Sequence, residues 1–170
     1  MRSPQDLIQM IIGEYLQAGD LAIDSNIKAG DITRFLAARV GDDGHVISFS
    51  PDKAAIDAVA SSLFLSGLTA RVELIHRDIS ALAEYLDPTE PIGLIMTQTD
   101  EHTDFDQLAQ TMRTALLALK KNGLLVIIGY QPAKFASLKT FAAKLPSESF
   151  DAQIYQSLQS DETTLIIQRR

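Results

Sequence analysis

"FDAQIYQSLQSDETTLIIQRR", residues 150–170, ends the chain and decides its fold. Two stretches of strand-forming residues, FDAQIYQSLQ and TTLIIQRR, are separated only by Ser160, Asp161 and Glu162. A gap that short permits an antiparallel hairpin, because a parallel pair needs a crossover of about a dozen residues or more. The preceding segment has a different rhythm. "GLLVIIGY" (123–130) is apolar almost throughout, as expected of a central strand covered on both faces. Residues 133–145 then place Phe135, Leu138, Phe141 and Leu145 at helical spacing.

Towards the amino terminus the alternation of strand and helix continues. Ser3 and Pro4 resemble a helix cap with proline in the first turn, and Leu7, Ile8, Ile11, Ile12, Tyr15 and Leu16 predict a helix over residues 4–18. "GDLAID" is a strand leading into the helix "DITRFLAARVG". "HVISFS" is the next strand, and Ser50, Pro51 and Asp52 cap a helix whose Ile56, Val59, Ala60, Leu63 and Phe64 face a core. "RVELIH" leads through Asp78 into the short helix "ISALAEYL"; "IGLIMT" is a fourth strand, followed by a helix over residues 103–121. Five strand-helix units and a hairpin predict one α/β domain over residues 1–170. Its sheet is Rossmann-like and doubly wound, with seven strands, mostly parallel, and a reversed strand at one edge.

At 170 residues and 46% apolar composition, the chain can bury a full core without covalent or metal staples. It has no cysteine, which excludes disulfides, thiolate zinc sites and a cysteine nucleophile, and agrees with a reducing cytoplasm. The opening "MRSPQDLIQMIIGEYLQAGD" is interrupted by Gln9, Glu14 and Gln17 and lacks a small-residue cleavage site, so an amphipathic helix is expected rather than an export signal. No apolar run approaches the roughly 20 residues of a membrane span. The net charge of -7 disfavours a simple phosphate-neutralising surface.

In open parallel sheets, ligands bind beyond the carboxyl ends of the strands, where successive connections leave in opposite directions. That rule selects the loops at residues 24–30, 50–52, 76–78 and 97–106. The Gly-x-Gly-x-x-Gly fingerprint of nicotinamide-dependent enzymes is absent from the first. Asp52 is explained as a first-turn acid, and His76 as a structural histidine. Thr103 and Asp106 have capping-box spacing. Asp100, Glu101, His102 and Asp104 are metal-ligand types without a recognised spacing, so no metal is expected.

"GDLAID", "ITRFLAARVGDDGHVISF", "GLTARVELIH", "LLALKKNGLLVIIGY" and the closing "TLIIQRR", in that order and spacing, resemble the class I S-adenosylmethionine-dependent methyltransferases. The likeness is greatest to the small bacterial rRNA methylase family, some of whose members methylate a modified wobble uridine in tRNA, and it covers nearly the whole chain. The family's first loop has the form Asp-Ala-Thr-x-Gly-Asn-Gly-x-Asp-Thr. Here Asp24, Gly30 and Thr33 match, while Lys28 stands for the first glycine, Ala29 for the asparagine and Ile32 for the aspartate. A positive φ at Lys28 would strain the loop by about 1 kcal/mol or more. Ser50 replaces the acid that usually accepts from the ribose hydroxyls. Residues 97–102 replace the family's Asn-Leu-Gly-Tyr-Leu-Pro, and of its Tyr-x-Gly-His only Tyr130 remains.

The resemblance implies S-adenosylmethionine as cofactor, held by Asp24, Ser25, Asn26, Gly30, Ser50, Asp78 and Thr97, with methyl transfer to RNA. Asp78 would either touch the adenine amino group or simply cap the helix after it. No catalytic base is identified. The expected partners are RNA and a second copy of the chain, with no membrane. Lys120, Lys121, Lys134, Lys139, Lys144, Arg169 and Arg170 are the candidate basic region. Departures in several loops support a second reading, a catalytically inactive binding or assembly module that has lost the cofactor.

Overall fold

The central strands are short and wholly apolar at their cores, which forces helices onto both faces of the sheet. The computed structural model describes residues 4–170; the predicted cap at Ser3 lies outside them. In chain order the elements are α1 (Pro4–Tyr15), β1 (Leu21–Asp24), α2 (Asp31–Val40), β2 (His45–Phe49), α3 (Lys53–Leu65), β3 (Val72–Ile75), β4 (Ile92–Gln98), α4 (Phe105–Ala118), β5 (Leu119–Gly129), α5 (Ala136–Ala143), β6 (Phe150–Gln156) and β7 (Thr163–Arg169). The seven strands lie in the order β3-β2-β1-β4-β5-β7-β6. β1 to β5 are parallel, and β7 runs antiparallel to both β5 and β6. The reversed strand is therefore second from the edge, and the edge strand is β6. Placing β7 inside lets its apolar Leu165, Ile166 and Ile167 be covered on both faces.

Alternation along each strand sends side chains to two cores. Ala22, Val46, Leu94, Met96 and Val126 pack against α1 and α2, and the small cluster of Ile27, Val59 and Leu63 extends that layer under α3. On the opposite face Ile23, Ile47, Phe49, Ile95 and Ile127 pack against α4, α5 and the turn between β3 and β4. The connections change face between β1 and β4, so the loops following those two strands diverge and leave a crevice.

Several boundaries differ from the sequence expectation. The segment Ile79–Tyr85 is a 3-10 helix, started by Asp78, whose carboxylate accepts from the Ser80 amide. It buries Ala81 and Leu82 and sets Tyr85 edge-on to Phe49 at 5.3 Å. α4 stops at Ala118, because Leu119 already pairs with Ile92. The register then jumps to Leu94 opposite Leu124, so the polar residues 120–123 bulge from the ladder, with Asn122 at φ 64°. A 3-10 turn, Pro132–Phe135, precedes α5. Of the predicted face of α3, Val59 and Leu63 are buried and Ile56 partly so, but Ala60 and Phe64 are exposed. The hairpin connection spans residues 157–162 rather than 160–162, because the Ser157 hydroxyl accepts from the amides of Gln159 and Ser160 and turns the chain out of the sheet early. No helix among the described residues is long and apolar enough to cross a membrane.

Candidate functional site

The loop after β1 is stitched to its neighbours on both sides. The Ser25 amide donates to the Met96 carbonyl at 2.9 Å, and the Asn26 side-chain amide to the Gln98 carbonyl at 2.7 Å. The Ser25 and Thr97 hydroxyls are in direct contact. On the other side, the Ile27 amide donates to the Phe49 carbonyl at 2.9 Å while its side chain is buried beside Val59 and Leu63. Gly30 completes the turn at φ 85° and serves as the N-cap of α2 without offering a side-chain cap. A Cβ there would lie 2.7 Å from Val59 Cγ2, so this position requires glycine both for conformation and for space. Lys28 does not have a positive φ: among the described non-glycine residues only Asn122 does. The anticipated strain is absent, and lysine is compatible with the loop as built.

Lys28 instead forms an ion pair with Asp100, 72 residues away on the loop after β4. Burial tends to raise the Asp100 carboxyl. The Lys28 hydrogen bond, the His102 amide, the Lys28 charge and the Thr103 hydroxyl outweigh that and bring it down to about 2. Asp24 is the opposite case. Its burial pushes the carboxyl up to about 6, against the pull of the Thr33 hydroxyl, the Asn26 amide and the Lys28 charge. Thr33 Oγ1 donates to Asp24 at 2.7 Å and lies 3.2 Å from the Ser48 hydroxyl.

Two cavities flank the Lys28–Asp100 pair at the carboxyl ends of β1 and β4. The first, about 360 Å³, has Asp24, Lys28, Gly30, Gln98 and Tyr130 among its lining residues, with α1 forming a wall through Ile8 and Ile12. The second, about 220 Å³, includes Ser25, Asn26, Asp78, Thr97 and Asp100. Six of the seven expected cofactor residues thus line the cleft. Ser50 does not: its hydroxyl turns back to accept from the Asp52 amide at 3.1 Å. Asp52 caps α3 through the Ala54 amide, and His76 Nε2 lies 3.0 Å from the Pro51 carbonyl. The capping box expected at Thr103 and Asp106 is displaced: Asp104 is the cap, accepting from the amides of Asp106 and Gln107. Thr103 accepts from the Asp100 amide instead.

Sequence reasoning missed the α1 wall, placed Gln98 only as part of the 97–106 loop, and missed the partner of Lys28. Only the amphipathic pattern of α1 hinted at the first, and no local signal marks the third. Tyr130, noted in sequence as a remnant, lines the first cavity and is hydrogen-bonded to Glu162; burial and that carboxylate raise its phenol. Among the described residues no group of three or more His, Asp or Glu side chains could hold a metal ion.

The chain superposes over nearly its whole length on solved methyltransferase structures. A candidate rRNA methylase from Clostridium thermocellum matches at TM-score 0.91 and 20% identity, covering 100% of this chain and 99% of the other. The chain has the class I methyltransferase fold. A candidate methyltransferase from Streptococcus mutans, solved with S-adenosylhomocysteine, matches at TM-score 0.89 and 19% identity over 100% and 99% of the two chains. An rRNA methylase from Streptococcus thermophilus matches at 0.86 and 19% over 99% and 98%. No protein-family profile matches the sequence. Within the methyltransferase fold, the divided cleft occupies the switch point between β1 and β4.

Proposed function

We propose that the protein is an S-adenosylmethionine-dependent methyltransferase with RNA as its acceptor. The observation that carries the proposal is the cleft itself: two adjoining cavities, both with charged and apolar lining, on either side of the Lys28–Asp100 pair. Their residues fit an amino acid joined to a nucleoside. α2 has no side-chain cap, so its first-turn amides and the Lys28 ammonium would hold a carboxylate in the first cavity. Asp24, ionised above about pH 6, would face the α-ammonium. In the second cavity Pro51, Ile79 and Leu108 offer apolar surface to a purine, with Asp78, Asn26 and Thr97 as polar contacts.

Bound there, S-adenosylmethionine would supply a methyl group activated by its sulfonium, with S-adenosylhomocysteine as the leaving group and a proton given up by the acceptor. The protein's part is to hold the nucleophile in line and exclude water. RNA as acceptor is supported by the likeness to rRNA methylases. Of the basic side chains, Lys134 lies in the Pro132–Phe135 turn that follows β5. Lys120 and Arg169 sit at the other end of that strand, bound to Asp20 at 2.7 Å and to the Leu117 carbonyl at 2.9 Å respectively.

An inactive module that has lost the cofactor would leave the same cleft without affinity for it. Thermal melting with S-adenosylhomocysteine separates the two. Ligand at 100 times its dissociation constant adds about 2.7 kcal/mol; no shift at millimolar ligand overturns the methyltransferase reading. Transfer of labelled methyl to RNA, assayed next, tests the acceptor.

A further inference from the structure

We propose, on the S-adenosylmethionine reading of the cleft, that Asp100 is a specificity-determining residue which holds the place of the ligand's own carboxylate on Lys28. A ligand with an amino-acid end exchanges anions at that ammonium, and a ligand without one leaves the pair closed. Lys28 lines the first cavity and Asp100 the second, so a ligand that occupies both spans the pair. The loops that carry the two residues are fastened to each other. The Ser25 and Thr97 hydroxyls are in contact, and the Asn26 side-chain amide donates to the Gln98 carbonyl at 2.7 Å. Opening therefore falls to the side chains.

Charge makes exchange the way to open it. Among the described residues that line the two cavities, Lys28 is the only lysine or arginine, set against Asp24, Asp31, Asp78, Asp100 and Asp104. A carboxylate entering this acidic cleft meets no second ammonium or guanidinium there, and Asp100 already occupies the one present.

The two partners differ in what holds them. Asp100 Oδ1 accepts from the His102 amide at 3.0 Å and from the Thr103 hydroxyl at 3.2 Å, while Lys28 bonds to Oδ2. Asp100 thus keeps its place when the lysine leaves. Lys28 rides on a flexible four-carbon stem and is the mobile member; its charge already acts on Asp24 in the first cavity. Each side chain of the pair is a little over a third exposed, so water and salt compete for the contact and parting it costs little. Only a ligand that brings a carboxylate restores a partner to Lys28.

Calorimetry of the full chain with S-adenosylhomocysteine, and with 5′-methylthioadenosine as the ligand without an amino-acid end, tests the exchange in wild type, Asp100→Asn, Lys28→Ala and the double variant. Asparagine can keep the contacts of Oδ1 while removing the competing charge. Asp100→Asn should bind S-adenosylhomocysteine about fivefold more tightly, the upper end of what an exposed ion pair is worth, and 5′-methylthioadenosine as before. Without Lys28 there is nothing to exchange, and the same substitution should gain less than about twofold. Melting without ligand checks that each variant is folded. Unchanged or weaker S-adenosylhomocysteine in Asp100→Asn overturns the proposal, because Asp100 would then present Lys28 to the ligand rather than occupy it. Equal gains for both ligands overturn it, and so does a gain that persists undiminished without Lys28, since repulsion by Asp100 would suffice. These outcomes leave the cofactor reading standing; S-adenosylhomocysteine bound by none of the four proteins overturns both.

Discussion

Gly30→Ala tests whether the cleft depends on the packing of the first loop. Two costs add at this position. The backbone at φ 85° is left-handed, which costs an L-residue about 1–2 kcal/mol. The new methyl would lie 2.7 Å from Val59 Cγ2, and Val59, buried against Ile27 and Leu63, has no solvent to move into; overpacking of this kind costs about 1–3 kcal/mol. The expected loss is therefore about 3 kcal/mol, read as a lower urea midpoint at unchanged slope. For a domain of this size the melting temperature should fall by roughly 6–12 °C. Val59→Ala alone should cost about 2 kcal/mol, from two methyls and the space they leave. The double variant should cost clearly less than the two added together, because the clash is gone and only the backbone strain remains. A loss below about 1 kcal/mol for Gly30→Ala, or additivity within about 0.5 kcal/mol, would refute the packing argument.

Asp24 gives a pH dependence of unusual sign. Its folded carboxyl titrates near 6 and its unfolded one near 3.8, so the folded state holds the extra proton between them. Stability should fall as pH rises through that window, by about 3 kcal/mol in all, and Asp24→Asn should flatten this part of the profile. Asp100, held near 2, behaves oppositely: its contribution is present above about pH 4 and lost towards pH 2, a slope that Lys28→Met should reduce in acid titration of the fold. Lys28→Ala should weaken S-adenosylhomocysteine about tenfold or more by calorimetry, as the loss of a charged hydrogen bond would. Binding of 5′-methylthioadenosine, which lacks the amino-acid end, should be unaffected; equal losses for both ligands would count against a carboxylate contact. Ile95→Ala, in the middle of β4, should cost about 2–5 kcal/mol in denaturant melts, the ordinary range for a buried aliphatic side chain.

Periodicity and capping are local properties, and where they operate the fold is legible in the residues. The near-continuous apolar run of β5, the caps at Asp52 and Asp78, and the short connection ahead of residue 163 follow from side-chain chemistry within a few positions. The loop of Asp24, Ser25, Asn26 and Gly30 was placed by the general rule for doubly wound sheets, and the structure lines the cleft with all four. Boundaries failed where strand pairing overrode a helical pattern. Residues 119–121 continue the helix rhythm of α4, but Leu119 is taken by Ile92 of β4.

By itself, then, the sequence determined the class of fold, the order of its elements and the end of the sheet where the cleft lies. These depend on spacing along the chain. Tertiary structure alone decided that Lys28 meets Asp100, that Ser50 turns away from the cleft, that α1 walls one side of it, and that β6 rather than the reversed strand is the open edge. Each depends on strand order and register, which bring together residues whose separation in sequence carries no local signal. Lys28 is the clearest instance. In sequence it replaces an expected glycine and suggests a loop under strain, while in space it is an unstrained cation paired across the switch point.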